Sequence, residues 1–168
     1  MRKLFLYIIP SLLISLFIYL FYRTEKTVVT DLLISIITKE NYLLLKHSIV
    51  QKLPLNEYII FSLPEGLWVF CITLTSKDIY LSHKDRMINF AFLPLIFSIG
   101  LEIFQLVELT NGRFDVFDIL VSIFFWFVAY FVIDHQSTNK QHLFSSFNNK
   151  SVAFLASYAI VYLAHVWQ

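Results

Sequence analysis

Charge is scarce in this sequence. Lys, Arg, Asp and Glu make up 15% of its 168 residues, against about 25% in an ordinary soluble domain. The two signs nearly cancel, 13 basic against 12 acidic, for a net charge of +1. There is no basic run and no interleaved basic and aromatic stripe, so electrostatics give no argument for nucleic-acid binding. Cysteine is confined to Cys71, inside an apolar run; this excludes an internal disulfide, and Cys71 reads as a small packing residue. A Gly-rich phosphate loop, a Gly-x-Ser-x-Gly elbow and a His-Glu-x-x-His helix are all missing. The histidines His47, His83, His135, His142 and His165 share no metal-ligand spacing with one another, with Cys71 or with an acid on one element, so no metal and no cofactor is expected. Internal repeats and low-complexity tracts are also absent.

Apolar side chains fill the space that charge leaves. They amount to 58% of the chain, with 18% aromatic, where soluble domains hold roughly 45–50% apolar residues. So few charges cannot cover so much apolar surface in a soluble fold of this size, whereas lipid can. The expected fold class is all-α: a polytopic transmembrane helix bundle forming a single integral membrane domain. Crossing the hydrocarbon core takes about 20 mainly apolar residues. Five segments meet or approach that length, at about 4–22, 58–75, 87–107, 116–133 and 152–167. The first looks like a signal peptide after Met1-Arg2-Lys3. Its apolar run exceeds the roughly 7–15 residues of a signal core and no small-x-small site follows, so an uncleaved helix is expected. The fifth is short enough to be tilted or only partly inserted.

Residues 27–52 carry short apolar patches broken by Asp31, Lys39, Glu40, Lys46 and Lys52. One or two amphipathic helices at the interface account for them, and so does a surface helix packed on the bundle. Lys and Arg near the helix ends slightly favour a cytoplasmic N-terminus, with Ser76–Arg86 and Asp134–Lys150 facing the cytoplasm.

A charged group inside a membrane span costs about 2.5–3.5 kcal/mol on insertion scales, so such groups face the bundle interior and carry function by default. Glu102 and Gln105 share a helical face at i, i+3. Asn111-Gly112 signals a tight turn, followed by Arg113 and by Asp115 and Asp118 at the opening of the next helix. Asp115 is also a good N-cap, and Arg113 is the natural cation to neutralise these acids. Ser62-Leu63-Pro64-Glu65-Gly66-Leu67-Trp68 has the form of a capping box with a helix-starting proline, or of a helix start that opens onto a cavity, with Trp68 as an interface anchor. Glu65, Trp68, Glu102, Gln105, Arg113, Asp115 and Asp118 are therefore the candidate binding residues; no residue is assigned as catalytic.

Together, Glu102-x-x-Gln105, Gly112-Arg113-Phe114 and Asp115-x-x-Asp118 resemble the VanZ-like membrane proteins, over about residues 55–133. Ser62 to Trp68 looks like the start of the preceding helix in some members. Val121-Ser122-Ile123-Phe124-Phe125-Trp126 stands where many members have an Asn and glycines. The resemblance implies a bacterial inner-membrane protein of the cell envelope, of a kind linked in some members to glycopeptide or lipopeptide antibiotic resistance.

Three roles follow. In the first, the polar cluster binds a polar group of an envelope lipid, a precursor or an antibiotic. In the second, the chain is an oligomeric membrane subunit or sensor of a larger assembly, such as a phage-defence system, and docks a soluble partner through its cytoplasmic segments. In the third, the acids perform acid/base chemistry on a lipid-linked substrate. Membrane lipids are partners in all three. The aromatic run Phe124 to Phe131 favours a homo-oligomer, without close glycine-type helix packing at that segment.

Overall fold

The computed structural model describes residues 2–23, 28–77, 79–83, 86–110, 113–133 and 141–142. The helix expected at 152–167, the loop expected at 134–150 apart from residues 141–142, and the turn residues Asn111 and Gly112 lie outside them. The chain is mostly helical. Six α-helices are described: α1 (Arg2–Phe21), α2 (Val28–Ile37), α3 (Lys39–Lys52), α4 (Glu57–Ser76), α5 (Leu93–Leu106) and α6 (Val116–Phe127). A 3-10 turn, Phe90–Phe92, leads into α5, and a π-helical turn, Val128–Val132, prolongs α6.

Two helices, Leu4–Phe21 within α1 and Glu57–Ser76, are long and apolar enough to cross a membrane; Phe90–Leu106 and Val116–Val132 are shorter apolar helices. Their surroundings differ. The α4 span is 61% buried and forms the axis of the bundle, while the α1 span is 11% buried. α1, α5 and α6 all pack on α4.

Gly66 sets how closely α4 and α6 approach. A Cβ at this position would come 2.5 Å from Phe125 Cδ2 and 2.6 Å from Val121 Cγ1. Close packing of α6 thus does occur, contrary to the expectation from its bulky sequence, because the small residue sits on the partner helix. Ser62 and Gly66 give α4 a small-xxx-small spacing, which lets helix backbones come close. Below this contact, Phe70, Cys71, Leu74 and Ala129 form a buried cluster.

α4 also corrects the reading of Ser62 to Glu65 as a helix start. The helix begins one and a half turns earlier, where the Asn56 side chain accepts from the Tyr58 N–H at 3.1 Å. Pro64, Ser62 and Glu65 are interior residues of a continuous helix.

The segment expected as amphipathic, 27–52, forms two helices over its described residues. They meet at Thr38, whose φ of 67° breaks the helical path. Tyr42 and Lys46, one turn apart on α3, hold the end of α1. The Tyr42 hydroxyl donates to Leu20 O at 2.6 Å, and Lys46 Nζ donates to Arg23 O at 2.9 Å. The first serves a carbonyl that the helix end leaves without an internal partner, and the second a carbonyl two residues beyond that end.

The segment expected as a loop at 76–86, and the first residues of the apolar run at 87–107, instead form a hairpin. β1 (Ile79–His83) pairs antiparallel with β2 (Arg86–Asn89), and β3 (Gln141–His142) pairs parallel with β1, giving the order β2-β1-β3. Asn89 then starts the next element, its Oδ1 accepting from the Ala91 N–H at 2.8 Å. α5 ends in a Schellman pattern. Glu108 adopts φ 59°, Leu109 N donates to Phe104 O at 2.8 Å, and Glu108 N donates to Gln105 O at 3.0 Å. Asp115 caps α6, as its position predicts, accepting from the Phe117 N–H at 2.8 Å. At the other end of α6, Lys77 Nζ donates to Ala129 O at 3.0 Å and to Ile133 O at 2.9 Å.

Candidate functional site

Three acids meet at the end of the bundle where α6 begins. Glu65 comes from the middle of α4, Glu102 from the last turn and a half of α5, and Asp118 from the first turn of α6. One carboxylate oxygen of each lies within 4.8 Å of the other two. Glu102 is 2% exposed, and Glu65 and Asp118 are half-buried. At an effective dielectric of about 20, each ionised pair at that separation repels by roughly 3 kcal/mol. The arrangement therefore calls for positive charge, as a cation or as protons.

Each acid has a serine beside it on its own helix: Ser62 three residues before Glu65, Ser98 four before Glu102, and Ser122 four after Asp118. These spacings put each pair on one helical face. All three serines are 0–1% exposed. Ser98 Oγ donates to Glu65 Oε1 at 2.7 Å and stands 2.8 Å from Ser122 Oγ, which can donate to it in turn. Ser98 thereby joins α5 to both α4 and α6. Glu102 is held from another direction, its Oε2 accepting the Asp115 N–H at 2.9 Å. Asp118 Oδ1 and Ser62 Oγ are buried and complete no hydrogen bond, although the Ser62 hydroxyl faces the Asp118 carboxyl.

The cation whose charge reaches Glu65 and Asp118 is Arg23, just beyond α1. Its Nη2 donates to Phe61 O at 2.9 Å, and its guanidinium lies 4.4 Å from the centre of the Tyr19 ring. Arg23 thus bridges the end of α1 to the α4 turn that carries Ser62.

Of the residues expected from sequence, Glu65, Glu102 and Asp118 form the cluster. Asp115 joins through its backbone N–H while its carboxyl caps α6. Gln105 is half-buried near the end of α5 and makes no hydrogen bond to the three acids. Arg113 is exposed. Trp68 lies one turn further along α4 from Glu65, its ring 5.9 Å from that of Phe97. Arg23, Ser98 and Ser122 are additions from the structure. The serines had a signal in the sequence, the i, i+3 and i, i+4 spacing to each acid. Arg23 had none, because its link to the acids passes between helices.

No family model, no curated protein and no solved structure matches this chain.

Proposed function

We propose that the chain is a small polytopic inner-membrane protein of the bacterial cell envelope, VanZ-like in kind, and that its three-acid cluster binds the polar group of an envelope lipid, a precursor or an antibiotic. In this reading α1, α4, α5 and α6 cross the membrane. The last two are short spans: 17 residues from Phe90 to Leu106, and 17 from Val116 to Val132, rise about 25 Å each. Apolar side chains point away from the bundle along its length, among them Leu6 72%, Leu13 58%, Ile96 64%, Phe124 61% and Phe131 60% exposed. A water-facing surface rarely carries so wide an apolar belt, and hydrocarbon covers it without cost. With the N-terminus in the cytoplasm, α4 and α6 start at the outer face, so the acids open toward the periplasmic side.

The observation that carries the proposal is the convergence of Glu65, Glu102 and Asp118 from three different helices. A fold that only needed to span lipid would replace them with apolar residues, because polar groups at this depth are costly. VanZ-like proteins supply the analogy through Glu102-x-x-Gln105 and Asp115-x-x-Asp118. The test is native mass spectrometry of the protein released from native membranes. A retained envelope lipid or precursor, lost in Glu102→Gln and Asp118→Asn, is the expected result. Identical ligands on wild type and both variants sink the proposal. A stable homo-oligomer with a co-purifying soluble protein and no such ligand favours the membrane-subunit role.

A further inference from the structure

We propose that the Glu65–Glu102–Asp118 cluster is a binding site for a hard divalent cation of about calcium's size, with the Ser62 hydroxyl as a fourth oxygen donor. The proposal rests on reading this cluster as a binding site, and it assigns what occupies it.

Four observations converge on that occupant. The first is geometric. Three oxygens no more than 4.8 Å apart leave a point within about 2.8 Å of all of them. Calcium takes oxygen ligands at about 2.3–2.6 Å and tolerates irregular geometry, so an inward shift of a few tenths of an ångström completes the site. The donor set is the second. It offers only carboxylate and hydroxyl oxygen, which suits calcium, magnesium or manganese; the sole cysteine, Cys71, is buried two turns away on α4, against Ile8 O at 3.9 Å. Charge is the third. Asp115 adds its charge to Glu102 and Asp118, while the Arg23 guanidinium acts on Glu65 and Asp118, so four carboxylates face one guanidinium and the excess is negative, as a divalent ion requires.

The fourth observation is a buried hydroxyl beside Asp118, close to its carboxyl but without a completed hydrogen bond to it. Ser62 is 1% exposed, its Oγ completes no hydrogen bond, and it faces the Asp118 carboxyl. A buried hydroxyl without a full partner is costly relative to a satisfied one. A helix-interior serine normally returns its proton to the carbonyl four residues back, as Thr73 does to Val69 O at 2.7 Å and Ser76 to Ile72 O at 2.6 Å on this same helix. Ser62 does not, and an ion among the three acids gives its oxygen a partner. The buried Asp118 Oδ1, also without a bond, gains one from the same ion.

The surrounding bonds act as supports for such a site. Ser98 holds Glu65 by Oε1, and the Asp115 N–H holds Glu102 by Oε2, so each carboxylate is oriented by one oxygen and keeps the other clear of bonds to the described residues. Outer-shell contacts of this type fix ligand carboxylates around metals.

The experiment uses the full chain, stripped with chelator and placed in nanodiscs of phosphatidylcholine alone, so that no anionic lipid contributes ion binding. Calcium and manganese(II) are titrated separately, with calorimetry for the first and electron paramagnetic resonance for the second. Saturable binding of one ion per chain is expected, together with a rise in thermal midpoint. Glu102→Gln and Asp118→Asn should each weaken binding at least tenfold, and Ser62→Ala several-fold, with helicity by circular dichroism unchanged. No saturable binding of either ion up to millimolar concentration, or equal binding by Glu102→Gln, overturns the proposal; in that case the charge is balanced by protons. If the carboxamide variants fail to fold, the wild-type titration and Ser62→Ala still decide. Lipid capture by chelator-stripped protein separates the two readings: retained lipid without metal binding defeats the metal site alone, and metal binding without any envelope ligand defeats the envelope role alone.

Discussion

Ser98 and Glu65 are joined by a 2.7 Å hydrogen bond that spans 33 residues of sequence and links α5 to α4 inside the bundle. The bond sits in a chain, since Ser122 of α6 approaches the same Ser98 oxygen at 2.8 Å. Ser98→Ala removes the donor to Glu65 and the link to Ser122 together. A hydrogen bond to a charged group is worth about 1.5–3 kcal/mol, so Ser98→Ala should destabilise the fold by that amount in reversible unfolding. Ser122→Ala should cost less. The double variant should lose less than the sum, because both substitutions break one network. Strict additivity would mean that the two serines act separately.

Gly66 tests the α4–α6 contact. Its missing Cβ is the reason Phe125 and Val121 can approach. Gly66→Ala forces a methyl to within 2.5 Å of Phe125 Cδ2, and overpacking of this kind costs about 1–3 kcal/mol. The gain in helix propensity on replacing glycine, up to about 1 kcal/mol, does not offset it. Thermal unfolding in detergent measures the loss. Val121→Ala in the same chain should recover part of it by clearing one of the two clashing atoms, and a stabilised Gly66→Ala would refute the close approach.

Local signals made part of this arrangement legible in the sequence. Asp115 precedes an apolar run and caps it, and Glu102 is an acid in an apolar helix, which has to turn inward. The capping-box signature at Ser62 and Glu65 was misleading because it matched a pattern without its context. The residues before Pro64 were already apolar, and Asn56 had already started the helix. Ile79-Tyr80-Leu81 has the β-branched and aromatic character of a strand, yet the nearby charges masked it, and the register that makes it a strand comes from residues 86–89 and 141–142. Arg23 was hidden for a further reason. Its role exists only once helices distant in sequence are side by side, whereas each serine already stood one turn from an acid on its own helix.

The proposed membrane orientation has a direct test. Cys71 is buried, so the wild-type chain should give little background with an impermeant maleimide. Glu108→Cys lies in the exposed turn after α5, and Lys84→Cys lies between β1 and β2. In intact cells the first should label and the second should label only after lysis. The reverse pattern would put the three acids at the cytoplasmic face.

The last prediction separates the two arginines near the cluster. Arg113 follows the α5–α6 turn and is close to the acids in sequence, but it is exposed. Arg23 is remote in sequence, yet its charge acts on Glu65 and Asp118, and its guanidinium is held by Phe61 O at 2.9 Å. Arg113→Gln should therefore change stability by no more than about 0.5 kcal/mol, as surface substitutions do. Arg23→Gln should cost several times more in the metal-stripped protein, since it removes the positive charge that acts on Glu65 and Asp118. Adding Glu65→Gln to Arg23→Gln should restore part of the loss, because it removes one charge from the repelling set. The same Glu65→Gln made alone should not stabilise to that extent, because Arg23 is then still present to offset the charge that is removed. Unfolding of the four chains, stripped with chelator and at matched pH, completes the double-mutant cycle. A coupling near zero, or an Arg113→Gln loss as large as that of Arg23→Gln, would show that Arg23 does not balance the cluster.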